Sequence, residues 1–166
     1  MRVVEALSGV SRLFLDTSPV VYFVEENPDF LPIVSIIFEQ IEHAALVGIA
    51  APVTLAECLV VPCRTGDVDG QREFVELLTN TENIEFVDIG QQVGQRAGEL
   101  RAKYNLQLPD SLQIATAFDV GCKPQTPNIS QARHYYTLPT PHLQTAVIDS
   151  SRWSNFTLPP PMCLPP

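Results

Sequence analysis

The stretch Leu13-Phe14-Leu15-Asp16-Thr17-Ser18 decides the fold, because it joins a short apolar run to an acid and then to a helix start. Three consecutive apolar residues predict a buried strand over residues 13–15. Ser18 and Pro19 are typical of a helix start, with a capping hydroxyl followed by a proline at the first helical position. The pattern therefore predicts a strand–acid–helix unit in which Asp16 lies at the carboxyl end of the strand.

Strands and helices alternate downstream of this unit. Apolar residues recur every three or four positions over Phe30–Leu46, which predicts an amphipathic helix. Further helices are predicted over 54–61, 68–78, 91–104 and 108–120, and further strands over 47–51 and 84–89. This alternation predicts an α/β fold of three layers, α/β/α, around a central, mainly parallel sheet. In such sheets the functional site lies beyond the carboxyl ends of the strands.

Composition narrows the possible functions. The chain has 166 residues, 45% hydrophobic and 17% charged, which suits one globular domain. The net charge of -9 argues against a protein that coats nucleic acid, but not against a nuclease whose metal site is built from carboxylates. No apolar run approaches the roughly 20 residues that span a membrane, and residues 1–10 do not read as a secretory signal. A cytoplasmic protein with no membrane partner is expected, and its four cysteines are expected to be buried thiols.

Three acids lie at predicted element boundaries. Asp16 follows the first strand, Glu57 lies early in the helix after the second strand, and Asp110 begins the last helix. Each has a structural alternative, as a helix cap, a solvent-facing glutamate and a first-turn acid respectively. Taken together, clustered carboxylates suit Mg²⁺ or Mn²⁺, which prefer oxygen ligands and can activate water beside a phosphate.

The same three segments resemble the motifs of PIN domains. The run from Leu13 to Ser18 resembles the opening strand that ends in Asp-Thr or Asp-Ser, and Thr54-Leu55-Ala56-Glu57 is similar to the second motif. The most specific match is Leu108-Pro109-Asp110-Ser111-Leu112-Gln113-Ile114-Ala115-Thr116-Ala117, which resembles the third. The resemblance covers roughly residues 11–122.

This resemblance implies a metal-dependent endoribonuclease. Asp16, Glu57 and Asp110 would be catalytic residues that hold Mg²⁺ or Mn²⁺, and Thr17 would support the site through its hydroxyl or its backbone N–H. Many family members are the toxins of toxin–antitoxin pairs. The expected partners are therefore an RNA substrate, an antitoxin protein and a second copy of the chain in a homodimer.

The C-terminal segment departs from the family. We predict a PIN-like domain over residues 1–122 and a divergent, proline-rich segment over residues 123–166, which holds nine of the fifteen prolines. Proline restricts regular pairing, so this segment is expected to be irregular. Family members usually carry a fourth acid here, whereas this chain has only Asn128 as a weak candidate for that position.

Two alternatives remain open at this point. The first is a catalytically inactive PIN-like binding module, because the fourth acid is missing. The second is a phosphatase of the haloacid-dehalogenase type, which also places an aspartate after its first strand. That class normally has a second aspartate two residues further on, where this chain has Ser18, so the sequence argues against it.

Overall fold

The structure is a computed structural model that describes residue 7 and residues 9–122. Three strands occur in this part of the chain: β1 (Arg12–Phe14), β2 (Val47–Ala50) and β3 (Ile84–Phe86). The helices are α1 (Thr17–Val24), α2 (Leu31–Glu42), α3 (Pro52–Cys58), α4 (Val60–Thr65), α5 (Val68–Asn80), α6 (Gln91–Tyr104) and α7 (Leu108–Asp119).

The three strands form one parallel sheet in the order β1-β2-β3. Leu13 pairs with Gly48 across the first ladder, and Gly48 pairs with Ile84 across the second. Helices make every crossover, as parallel pairing requires. The predicted α/β fold with a parallel sheet is confirmed, and the carboxyl ends of all three strands meet at one edge of the sheet.

Helices cover both faces of the sheet. Successive side chains of a strand point to opposite faces, so β1 contributes to two apolar clusters. Leu13 and Leu15 pack in a cluster with side chains of α1, α2, α3 and α5. Phe14 packs in a second cluster with side chains of α6 and α7. The result is the predicted order of layers, helix on sheet on helix.

Gly48 allows α2 to lie close to the middle of the sheet. A Cβ atom at this position would lie 3.0 Å from Cδ1 of Ile41 and 3.1 Å from Cδ1 of Leu15. Both neighbours are buried side chains with little room to move. The central strand therefore carries a glycine where a larger residue would separate the helix from the sheet.

Two predicted helices have wrong bounds. The helix predicted over residues 30–46 ends at Glu42, and Ala44 has a left-handed backbone with φ of 55°. The helix predicted over 54–61 is two short helices that meet at Leu59. Pro62 explains the break, because it has no N–H to continue the ladder and its ring crowds the preceding turn.

The cysteines only partly match the prediction. Cys58 and Cys122 are buried free thiols, whereas Cys63 is exposed. Among the described helices, none combines the length and the apolar character that crossing a bilayer requires. The predictions for residues 123–166, which include Asn128, lie outside the described residues.

Candidate metal centre

Asp16 caps helix α1 from the carboxyl end of β1. Its Oδ1 accepts a hydrogen bond of 2.7 Å from the backbone N–H of Thr17. The helix thus begins at Thr17, and the prediction that Ser18 provides the cap is wrong. An aspartate at this position satisfies a free helical N–H and interacts favourably with the helix dipole. The capping role and a role as metal ligand are compatible, because the carboxylate has a second oxygen.

Glu57 lies on α3, the helix that follows the carboxyl end of the neighbouring strand, β2. The Thr17 hydroxyl donates to Glu57 Oε2 over 2.7 Å. The start of α3 is itself attached to β1, because the buried Thr54 hydroxyl donates to the carbonyl of Leu15 over 3.1 Å. Thr17 therefore touches the candidate ligands on both sides, with its N–H on Asp16 and its hydroxyl on Glu57.

Asp110 approaches the same region from α7. It is half-buried in the first turn of the helix, where Pro109 precedes it. Burial and the neighbouring Glu57 carboxylate raise the pKa of Asp110, and a hydrogen bond from the backbone N–H of Gln107 opposes this rise. The N-terminal turn of α7 thus brings the third acid within electrostatic range of the other two.

Gln113 is a site residue that the sequence analysis missed. Its Nε2 donates to Glu57 Oε2 over 3.2 Å, and a hydrogen bond from Gln113 also lowers the pKa of Asp16. The side chain is only 4% exposed. Gln113 follows Asp110 by one helical turn, so both lie on the same face of α7. A polar residue within the apolar end of the third motif was the available signal.

The three acids disfavour each other's charge. Burial raises the pKa of Asp16 to about 6, with smaller contributions from the charges of Glu57 and Asp110. The neighbouring Cys58 thiol has its pKa raised to about 12, first by burial and then by Asp16 and Glu57. The described hydrogen bonds and ion pairs bring no lysine, arginine or histidine to these three carboxylates. The described residues therefore concentrate negative charge at this site and offset it with neutral donors.

The described side chains at the candidate site do not form a complete coordination shell. Among residues 7 and 9–122, no group of three or more His, Cys, Asp or Glu side chains is close enough together to enclose a metal ion. Like charges resist closer approach unless a cation lies between them. The donor set nevertheless fits a hard divalent cation, because it consists of carboxylate oxygens supported by hydroxyl and amide donors.

The family of the chain follows from a comparison with family models. The PIN domain model matches residues 13–124, which contain all three acids and Thr17. The chain therefore belongs to the PIN domain family. Members of this family generally use divalent metal ions. This membership leaves the haloacid-dehalogenase alternative without support.

A solved structure has the same fold. A chain in the crystal structure of VapBC2 from Rickettsia felis, bound to a DNA fragment from their promoter, matches with a TM-score of 0.56 and 18% identity. The match covers 74% of this chain and 92% of that chain. At this identity the likeness concerns the fold alone. A comparison with curated proteins gives no match.

Proposed function

We propose that the protein is a metal-dependent endoribonuclease of the PIN type, acting in the cytoplasm as the toxin of a toxin–antitoxin pair. Asp16, Glu57 and Asp110 are the proposed ligands of a single Mg²⁺ or Mn²⁺ ion. The observation that carries the proposal is that Thr17 donates to both Asp16 and Glu57 at the carboxyl edge of the sheet, with Asp110 near enough for the Glu57 charge to raise its pKa. Placing acids together in a partly buried site costs folding free energy, and a bound cation offsets this cost.

The roles of the side chains follow from their contacts. Asp16 would hold the cation with its remaining carboxylate oxygen, because Oδ1 accepts from the Thr17 N–H. Glu57 is oriented by the donors on its Oε2. Asp110, in the first turn of α7, completes the set. A divalent ion held there would lower the pKa of a bound water and stabilise charge on a scissile phosphate.

The proposal is tested by cleavage of a labelled single-stranded RNA with Mg²⁺ or Mn²⁺ and with a chelator. We expect slow, metal-dependent cleavage by the wild type. Asp16→Asn, Glu57→Gln and Asp110→Asn should each lower the rate by at least about a hundredfold, because each removes several kcal/mol of metal-mediated stabilisation.

Asp67→Asn is the matched control. Asp67 also caps a helix, with Oδ1 accepting from the Gly70 N–H over 3.0 Å, but it lies on the exposed start of α5. Asparagine caps helices as well as aspartate does, so this variant should keep full activity. Cleavage that needs no metal and survives Asp16→Asn would contradict the proposal. Metal binding without cleavage would instead favour the inactive binding module, with the missing fourth acid as its cause.

An open groove between α1, α2 and α5 supports the proposed antitoxin partner. It has a volume of about 580 Å³, with an apolar floor and an acidic rim. The apolar residues are Phe23, Val24, Leu31 and Leu77, and the acids are Glu26, Glu73 and Glu76. A groove of this kind fits an apolar segment that carries basic side chains at its edges. We assign it to a basic segment of the antitoxin.

Charge reversal in the groove tests this assignment. The chain is co-expressed with the product of the reading frame beside its own, and complex formation is followed by size-exclusion chromatography with light scattering. Glu73→Lys with Glu76→Lys should weaken the complex and leave metal-dependent cleavage intact. An unchanged complex would place the partner elsewhere, and the same light-scattering measurement checks the predicted homodimer.

A further inference from the structure

Glu57 accepts two protein hydrogen bonds on the same oxygen. The Thr17 hydroxyl and the Gln113 amide both donate to Oε2, at 2.7 Å and 3.2 Å. These donors come from α1 and α7, both of which contact α3. A carboxylate held by two donors on one oxygen has a fixed side-chain rotation, so its second oxygen points in one direction.

Gln113 occupies a buried position of α7, where a residue with a purely structural role would normally be apolar. It is 4% exposed, and the following residues of α7, Ile114 to Ala117, belong to the buried core. Burying an amide costs free energy unless its polar atoms find partners. The partner of its Nε2 is Glu57 Oε2. The one buried amide of this helix therefore contacts one of the three candidate metal ligands.

We propose that Gln113 is a positioning residue of the metal centre: together with Thr17 it holds Glu57 Oε2, which leaves Glu57 Oε1 available for the cation. This inference rests on the proposed metal site. Gln113 acts through the carboxylates and does not itself contact the metal. As a neutral donor it stabilises the Glu57 carboxylate without competing with the cation for it, which a lysine or arginine would do.

The experiment is a calorimetric titration of the metal-free protein with Mn²⁺, together with thermal unfolding. Gln113→Met keeps the length of the side chain and removes the donor. It should raise the Kd for Mn²⁺ by about 10- to 100-fold, the usual effect of losing a residue that orients a metal ligand. Gln113→His keeps an N–H donor and should bind Mn²⁺ more tightly than Gln113→Met.

Thr116→Val is the matched control, because Thr116 is equally buried on the same helix and donates only to the carbonyl of Leu112. This variant should lose stability and keep the Kd of the wild type. If Gln113→Met fails to fold, Gln113→Asn gives the same measurement, because its amide is one methylene too short to reach Glu57.

A double-mutant cycle makes the test specific. Thr17→Val removes the other donor to Glu57 Oε2, so the two substitutions should affect the Kd non-additively. An unchanged Kd in both Gln113→Met and Gln113→Asn would overturn the inference and leave the ribonuclease proposal standing. Mn²⁺ binding without RNA cleavage would overturn the ribonuclease alone. A wild-type protein that binds no Mn²⁺ would overturn both.

Discussion

The two ends of the sheet differ in the charged side chains that they bring together. At the amino end, Arg12 of β1 forms two hydrogen bonds with Glu85 of β3, at 3.1 Å and 2.6 Å. The hydrogen bonds to Glu85 raise the pKa of Arg12, so each charge stabilises the other. At the carboxyl end, Asp16 and Asp110 lie near a third acid, and burial together with like charge raises the pKa of both.

The difference separates a structural pair from a candidate site. Arg12 and Glu85 are partly exposed, and their opposite charges offset each other. At the carboxyl end, the donors that residues 7 and 9–122 provide to the acids are neutral and come from Thr17 and Gln113. The carboxylates at the carboxyl end of the sheet repel one another, and a divalent cation bound there would offset this repulsion.

The largest expected effect is on the pH dependence of stability without metal. Burial raises the pKa of Asp16 from 3.8 to about 6, so the folded state binds a proton there that the unfolded state releases. The stability contributed by protonated Asp16 is complete below pH 4 and is lost as the pH rises through 6. The shift corresponds to about 3 kcal/mol.

Chemical unfolding of the metal-free protein between pH 4 and pH 7.5 measures this effect. Because other groups titrate in the same range, the informative quantity is the difference between the wild type and Asp16→Asn. The variant should gain stability relative to the wild type as the pH rises. A difference that does not change with pH would mean that the buried charge carries no such cost.

A slightly smaller effect is expected from metal at neutral pH. Mg²⁺ or Mn²⁺ at 100 times its Kd should stabilise the folded protein by about 2.7 kcal/mol. Differential scanning fluorimetry over a millimolar titration would record a rising Tm for the wild type and for Asp67→Asn. Asp16→Asn should show little or no rise, and an equal rise in all three proteins would indicate binding elsewhere.

The smallest effect is expected at the amino end of the sheet. Glu85→Gln removes one charge of the exposed pair and should change the free energy of unfolding by less than about 1 kcal/mol. It should leave the Kd for Mn²⁺ unaltered, as measured by the same titration calorimetry. A large loss of metal affinity in this variant would contradict the separation between the two ends.

The sequence predicted the regular parts of the fold well. Helix α6 has the bounds that its apolar spacing predicted, and the parallel sheet follows from the alternation of elements. The break at Leu59 was not predicted, because the apolar pattern continues through it and only Pro62 marks the interruption. Ser18 was preferred as the cap from its place before Pro19, although Asp16 is an equally good capping residue.

The acids of the candidate site could be predicted from the sequence, but the residue that donates a hydrogen bond to Glu57 from α7 could not. Asp16, Glu57 and Asp110 have recognisable positions at element boundaries, and their role as metal ligands stays a prediction. The contact from Gln113 to Glu57 joins residues that lie far apart in the chain. The polar Gln113 among apolar residues of α7 signals a buried polar contact, but its partner could not be predicted, since only the packing of α7 beside α3 brings the two side chains together.

The central claim is that the acids at the carboxyl end of the sheet act together as one metal site. Calorimetric titration of the metal-free wild type with Mn²⁺ tests it most directly, with Asp110→Asn and Glu85→Gln as the paired variants. The account predicts one saturable site per chain in the wild type and in Glu85→Gln, and a large loss of affinity in Asp110→Asn. Equal binding in all three proteins, or no saturable binding at millimolar Mn²⁺, would contradict it.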